Sequence, residues 1–472
     1  MRRRLVVPAV IALAALWPAV APSALHAQSR ARPNIVMIFP DNLGWGEVGA
    51  YGSVRGVPTP NIDSIAAQGM RLDNFNVEFS CTVSRAALLT GRYAIRTGAT
   101  QPTGITLWEV TLAEALKAAG YATALYGKWH LGGASWRQHR TPIDQGFDDW
   151  YGIPNTSNEA LWLTAPELKP NPGDTSYIWE QRRGGEPTKV KVFDLDARRM
   201  VDREAANKSV AFIERNAKTK TPFFLYYPMT QIHFPTLAHP DFMGKTGAGD
   251  MGDAMMDVDY NVGLVLAALK RMNLERNTLV MWCADNGPEA RRPWRGSSGP
   301  WRGFYNSVME GGIRTPCVMR WVGTIPRGQT SNAMFHELDI FPTVVAAAGI
   351  AMPKDRPMDG VNQLPFLQRK QATSSRTSAL FFTGASVRAV KFNDWKFHYA
   401  YQPEPRVTES PLMRLFNLRA DPREEIDLKD ANPWALSLFD GLVADFTKTV
   451  EQFPNVPTGA RDPYVPPKAM KP

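Results

Sequence analysis

The chain has 472 residues, enough for one large domain or a large domain with a smaller partner. Hydrophobic residues make up 44% and charged residues 21%, which is ordinary for a folded globular chain and excludes general disorder. The net charge of +9 is scattered and carries no nucleic-acid motif, so it suits anionic substrates or an acidic surface and argues against nucleic acid as a partner.

The first residues read as an export leader spanning 1–27. Arg2, Arg3 and Arg4 form a basic start, an apolar run from Leu5 to Val20 follows, and Leu25-His26-Ala27 offers a cleavage site. Pro8 and Pro18 divide the run, which is short for a membrane span, and no later stretch is long and apolar enough to cross a bilayer. The protein is therefore expected in the periplasm or outside the cell. Removing the three leader arginines takes the charge from +9 to +6. Cys81, Cys283 and Cys317 remain, so an exported chain would hold at least one unpaired thiol.

Asn34 to Phe39 is a buried-strand pattern that Pro40 ends. Thr59-Pro60-Asn61 opens a helix carrying Ile62, Ile65, Ala66 and Met70. Ala86 to Leu89 is helical, and Leu112 to Ala119 is an amphipathic helix stopped by Gly120. Tyr121 to Tyr126 is a strand ending at Gly127. Val201 to Arg215 is a helix, Pro222 to Tyr227 a strand, Met255 to Met272 a helix and Thr278 to Cys283 a strand. Cys317 to Trp321 is a further strand and Asp339 to Ala348 a helix.

This alternation predicts an α/β fold with a large, mainly parallel sheet covered by helices on both faces. Beyond Ser375 the texture changes. Leu380–Phe382, Arg388–Phe392, Trp395–Tyr401 and Met413–Leu418 are short strands before a helix from Trp434 to Val450. The expected organisation is a catalytic domain over 33–374 and an antiparallel-sheet subdomain over 375–472.

Ligands of open α/β sheets sit beyond the carboxyl ends of the strands. Asp41 and Asn42 follow the first strand, Lys128 and His130 follow 121–126, His233 follows 222–227, and Asp285 and Asn286 follow 278–283. One Asp-Asn pair alone is more often a turn or cap. Two pairs at equivalent strand ends make a hard-cation set of carboxylate and amide oxygens, suited to Ca²⁺, with Mg²⁺ as the alternative. Lys128 and His130, two apart on an extended segment, would share one side and suit anion binding and proton transfer. Gly44, Gly46 and Gly49 spell G-x-G-x-x-G, but Pro40, Asp41 and Asn42 separate them from the strand, which disfavours a dinucleotide site and favours a loop around the metal. No G-x-S-x-G elbow is present.

Cys81-Thr82-Val83-Ser84-Arg85, continued by Leu89-Thr90-Gly91-Arg92, resembles the signature of the sulfatase family. Thr59-Pro60-Asn61-Ile62-Asp63, Gly127-Lys128-Trp129-His130, Asp285-Asn286-Gly287 and Glu310-Gly311-Gly312-Ile313-Arg314 resemble further landmarks in family order. So do Asn393-Asp394-Trp395-Lys396 and Leu415-Phe416-Asn417-Leu418 of the C-terminal sheet.

The resemblance implies an alkaline phosphatase-like fold and an arylsulfatase-like sulfuric ester hydrolase. A maturation enzyme would convert Cys81 to formylglycine. One hydroxyl of the hydrated aldehyde would attack sulfur, and the other would let the sulfated intermediate collapse. Asp41, Asn42, Asp285 and Asn286 would hold the metal, with residue 81 against it. Arg85 would anchor the modified side chain, Lys128 would bind it and a sulfate oxygen, His130 would take the proton during collapse, and His233 would serve the leaving oxygen.

Three residues depart from the family pattern: Asn42 for a second Asp, Val83 for the proline read during maturation, and Tyr305 for a sulfate-binding Lys, which Arg295 or Arg302 could replace in charge. Two alternatives therefore stand beside a sulfatase acting on a small-molecule or saccharide sulfate: a phosphoester or phosphonate hydrolase on the same fold, and a weakly catalytic binding protein. Trp162, Trp179, Trp294 and Trp301 are candidates for an aromatic wall around the leaving group, or for core positions.

Overall fold

A computed structural model describes residues 32–133, 140–161, 177–403 and 410–466. The expected leader and Trp162 lie outside the described residues. Among the described residues no helix is long and apolar enough to cross a membrane.

The large sheet is built from β1 (Asn34–Ile38), β2 (Met70–Asn76), β3 (Ala122–Lys128), β4 (Asp149–Ile153), β5 (Tyr177–Arg182), β6 (Thr188–Val192), β7 (Phe223–Tyr227), β8 (Thr278–Cys283), β9 (Arg314–Arg320) and β10 (Gln329–Ser331), with β11 (Phe335–His336) paired to β2. Its order is β10-β2-β9-β8-β1-β7-β3-β4-β5-β6. The central run β8-β1-β7-β3-β4 is parallel, while β9 joins β2 and β8 antiparallel and β5 and β6 continue antiparallel at the far edge. Among the described residues, helices of seven or more residues are α1 (Pro60–Ala67), α2 (Cys81–Thr90), α3 (Leu112–Ala118), α4 (Leu195–Thr219), α5 (Gly249–Arg271), α6 (Ile340–Ala348) and α7 (Trp434–Gln452).

Strand side chains alternate between faces, so one strand feeds two cores. Ile35, Met37 and Phe39 enter a layer with Leu88, Leu116 and Val344, from α2, α3 and α6. Val36 and Ile38 enter the opposite layer with Ile62, Phe212 and Val258, from α1, α4 and α5. Both faces are apolar because both are covered, which is why these strands read as unbroken hydrophobic runs.

A second sheet follows, β12 (Ser378–Thr383), β13 (Ser386–Phe392), β14 (Trp395–His398) and β15 (Arg414–Asn417), antiparallel in that order. Phe382, Val390, Phe397 and Leu415 pack with Phe439 of α7 and with Ala87, Tyr93 and Leu338 of the larger part.

Several expected elements shift. The strand expected at 121–126 runs on through Gly127 to Lys128, since the glycine at φ +137° packs its Cα where a Cβ would meet the Pro228 carbonyl oxygen at 1.9 Å. The helices expected at 201–215 and 255–272 begin earlier, at Leu195 and Gly249; Asp194 caps the first by accepting from the Ala197 amide at 2.8 Å. Trp179 is 1% exposed in the core, so the wall reading fails for it. Trp301 stands edge-on to Trp45 and under the Arg314 guanidinium at 3.9 Å.

A buried ionic lock joins the two sheets. Glu310 takes Lys391 at 2.9 Å and Lys396 at 3.0 Å, and Lys396 also reaches Glu424 at 2.9 Å; all four side chains are at 0% exposure. Removing one partner of such a group leaves uncompensated buried charge. Glu310→Ala should therefore lower stability by about 3–5 kcal/mol, read from the denaturant midpoint, whereas an exposed pair such as Lys448–Asp445 should move it by less than about 1 kcal/mol.

Candidate functional site

The parallel strands deliver their polar residues to one end of the sheet. Asp41 and Asn42 leave β1, Asp285 and Asn286 leave β8, Lys128 ends β3 and His233 follows β7, so adjacent strands place all six in one region. The chain past β1 is fixed by backbone bonds: Asp41 N donates to the Gln231 carbonyl at 2.8 Å and Asp285 N to the Pro40 carbonyl at 3.2 Å. Asn42 adopts φ +53°, a conformation asparagine tolerates better than most residues. Gly44 lets the following loop lie against Ser297, whose carbonyl oxygen would stand 2.1 Å from a Cβ there.

Cys81 is the first residue of α2, after Ser80. The free amide groups and partial positive charge of a helix start therefore face the cleft. Its Sγ lies 3.5 Å from Asn42 Oδ1, and Asp41, Cys81 and His233 offer ligand atoms within 4.8 Å of one another. Cys283 and Cys317, opposite each other on β8 and β9, form a disulfide, which leaves Cys81 as the free thiol among the described residues. Burial, then the Asp41 carboxylate, push that thiol well above its ordinary pKa. A protonated thiol is a poor nucleophile and a poor metal ligand at neutral pH.

The charges are packed together without water-exposed surface. Lys128 Nζ donates to Asp41 Oδ2 at 2.6 Å, and Arg85 Nη2 lies 2.9 Å from Asp285 Oδ2 and 3.8 Å from Asp41 Oδ2, all at 0% exposure. Arg85 Nη1 also donates to the Lys128 carbonyl at 3.1 Å, and Asn42 N donates to Asp285 Oδ1 at 2.9 Å. Burial would raise the Asp41 pKa, but Lys128, His233 and Arg85 outweigh it and hold Asp41 well below the usual carboxylate range. Burial and the facing Asp41 carboxylate instead push Asp285 up to about 7, despite Arg85 and Lys128.

The oxygen set fits a hard cation. Asp41 Oδ1 and Asn286 Oδ1 are buried with no hydrogen-bond partner, and the raised Asp285 marks a shortage of positive charge between the two carboxylates. Asn286 Nδ2 donates to Asn42 Oδ1 at 2.7 Å, so all four expected ligands meet. The compact triad with Cys81 contains His233 where the expected set had Asp285, because both Asp285 oxygens are turned to Arg85 and the Asn42 amide.

The two histidines differ. His130 adopts φ +60°, so the segment from Lys128 is not extended to its end and the two-residue spacing is not what brings the pair together. Burial, then Lys128 and Arg85, drive the His130 pKa well below its ordinary value, and its buried Nδ1 has no hydrogen-bond partner. His233 Nδ1 lies 2.6 Å from the Phe234 carbonyl and Nε2 lies 3.1 Å from Thr156 Oγ1; burial lowers its pKa to about 4. Tyr305 is within electrostatic reach of Cys81, Asp41 and Asp285, and burial raises its pKa well above the ordinary value.

Thr156 was missed in the sequence. It bridges His233 Nε2 and Lys128 Nζ, the latter at 3.4 Å. It follows β4, whose Asp149-Trp150-Tyr151-Gly152-Ile153 sequence lacks a clear period; with that strand recognised, the strand-end rule would have found Thr156.

The sulfatase model matches residues 33–350, and a model of the C-terminal region of N-sulphoglucosamine sulphohydrolase matches 300–438. The chain is 34% identical to N-acetylgalactosamine-6-sulfatase of Canis lupus familiaris over 384 residues, covering 78% of this chain and 72% of that one. It is 35% identical to arylsulfatase A of Bos taurus over 459 residues, covering 88% and 87%. Its fold is similar to the crystal structure of PsFucS1 sulfatase from Pseudoalteromonas sp., with a TM-score of 0.84, 30% identity and coverage of 90% and 92%.

Stripping divalent cations should lower the melting temperature, and a divalent cation re-added at about 100 times its Kd should restore about 2.7 kcal/mol of stability. Asp41→Ala should abolish the response, as followed by thermal denaturation with and without the added cation.

Proposed function

The chain belongs to the sulfatase family, and from that premise we propose that it hydrolyses sulfate esters at the buried cluster around Cys81. The observation that carries this reading is the placement of the free Cys81 at a helix start, beside Asp41 and His233 and ringed by Lys128 and Arg85. Ca²⁺, with Mg²⁺ as the alternative, would be held by Asp41, Asn42, Asp285 and Asn286 and would offset charge on the sulfate oxygens. Formylglycine at position 81 would supply, as its hydrate, the hydroxyl nucleophile that the protonated thiol cannot.

The chain's own groups then divide the work. Arg85, buried and shared between two carboxylates, keeps Asp285 turned toward the cluster and anchors the side chain of residue 81. Lys128 donates to a sulfate oxygen from the position where it now meets Asp41 and Thr156. His130, neutral through burial, accepts a proton at Nδ1, which is buried without a hydrogen-bond partner. The Phe234 carbonyl holds the His233 proton on Nδ1 and leaves Nε2 for the leaving oxygen. With a pKa near 4, His233 gains a second proton only when negative charge arrives beside it. Tyr305 lends a hydrogen bond where the family pattern has an ammonium.

Export agrees with the Cys283–Cys317 disulfide, since such bonds persist in oxidising compartments. The maturation enzyme would meet the chain before folding, because Cys81 to Thr90 are all buried. Val83 and Tyr305 favour one second reading, a scaffold that binds sulfate esters with little turnover.

Protein purified from its own host should yield a Cys81 peptide in which aldehyde replaces thiol, read by mass spectrometry. It should cleave 4-nitrophenyl sulfate faster than 4-nitrophenyl phosphate, and Cys81→Ala should remove that activity. A thiol in all of the protein, with no aryl sulfate turnover, would leave only the binding reading. Val83 occupies the third position of α2, within the first turn that tolerates proline. Val83→Pro should therefore fold and raise the formylglycine fraction, checked on the same peptide.

A further inference from the structure

On the leaving-group side of the site, a file of rings runs outward from His233. Phe234 stacks on His233 at 4.8 Å between centroids and 21° between planes, and Trp294 stacks on Phe234 at 6.2 Å and 21°. Trp294 is half-buried, with its Nε1 donating to Asp250 at 3.3 Å. The loop bearing Trp294 reads Arg291-Arg292-Pro293-Trp294-Arg295, and its three arginines are exposed.

Two of these guanidiniums are seated on rings that adjoin the site. Arg291 lies over Phe234 at 4.2 Å, next to His233. Arg295 lies over Phe304 at 4.6 Å, and Phe304 precedes Tyr305, which stands in electrostatic reach of Cys81 and Asp41. The loop thus carries positive charge over both flanks of the cleft. Among the described residues none of the three arginines is ion-paired. Glu289 accepts from the amides of Ala290 and Arg291 and stays within electrostatic reach of the Arg291 guanidinium, and Asp250 accepts from Trp294.

Arg295, over Phe304, is placed to replace in charge the lysine that Tyr305 displaces, so Arg291 and Arg292 are charge beyond what a single sulfate needs. The buried Lys128 and Arg85 already supply positive charge at the inner cluster, and Arg291 lies outside it over Phe234. Arg291 over Phe234 and Arg295 over Phe304, with the exposed Arg292 in the same loop, match a substrate whose leaving group is itself anionic. A guanidinium presents a planar fork to a carboxylate or sulfate. A half-buried indole beside it offers an apolar face to a sugar ring.

We propose that Arg291, Arg292 and Arg295, with Trp294, form an outer subsite for a second anionic group on the saccharide leaving group, so that the substrate is a polyanionic sulfated saccharide. This deepens the sulfate-ester reading and rests on it for the identity of the bond cleaved. The oxyanion bound outside is a sulfate or a carboxylate; both offer the arginines the same paired oxygens.

Direct titration calorimetry on the full chain tests this whether or not residue 81 is converted. The probes are length-matched oligosaccharides of sulfated dextran, polygalacturonate and neutral dextran. The subsite predicts that the sulfated chain, the carboxylated chain or both bind at least about tenfold more tightly than the neutral chain, which also tells which oxyanion is taken. The combined variant R291Q/R292Q/R295Q should weaken that binding at least about tenfold and flatten its salt dependence. W294A should weaken it further, and inorganic sulfate should lose less affinity than the oligosaccharide in the triple variant. Equal binding of neutral dextran, or an unchanged Kd in the triple variant, overturns the proposal. If aryl sulfate is hydrolysed while the arginine substitutions leave saccharide binding untouched, the outer subsite falls and the sulfatase reading stands. If anionic saccharide binds through the arginines while no sulfate ester is cleaved, the hydrolytic reading falls instead.

Discussion

Two carboxylates, Asp41 and Asp285, are held together without water at the ends of neighbouring parallel strands, and much of the surrounding structure answers to that constraint. Neither could stay ionised alone in such a place, because desolvation of a buried charge is severe. Arg85 lies against both, Lys128 lies against one, and each of the four side chains is fully buried. The compensation is uneven: Asp41 is held low while Asp285 is held high. That imbalance, with two buried oxygens left without partners, is the electrostatic shape of a cation site.

The same constraint explains why the cluster rests on strands, a helix start and backbone bonds. The inner turn of Asp285-Asn286-Gly287 is pinned by Gly287 N donating to the Gly312 carbonyl at 2.8 Å. Gly312 sits two residues from Glu310, whose carboxylate is clamped by Lys391 and Lys396 of the second sheet. The small sheet thus reaches the proposed metal ligands through one short turn. Its contribution is rigidity near the site, since none of its own side chains enters the cluster described above.

The three departures from the family pattern act on different quantities. Asn42 keeps an oxygen in the proposed ligand set and removes one negative charge. Tyr305 replaces a cation with a neutral hydrogen-bond donor. Val83 faces the apolar core at 3% exposure, where the family pattern has a proline. The basic loop at 291–295 adds charge outside the buried cluster, where Arg291 lies over Phe234 and Arg295 over Phe304.

The sequence by itself determined the strand-and-helix alternation, the two-sided burial of β1, β7 and β8 and the small antiparallel sheet, because hydrophobic period and turn residues are local properties. It also marked Asp41, Asn42, Lys128, Asp285 and Asn286 through their positions after strands, and Cys81 with Arg85 through a twelve-residue signature. What it did not supply were β2, whose first residue Met70 also fits the preceding helical pattern, and β4, β5 and β6, and therefore Thr156 beyond β4. Only the tertiary structure decided that Cys283 pairs with Cys317, that Trp179 is core, and that Glu310 locks two sheets together. Each of these depends on which distant segments become neighbours, and a one-dimensional pattern does not carry that information.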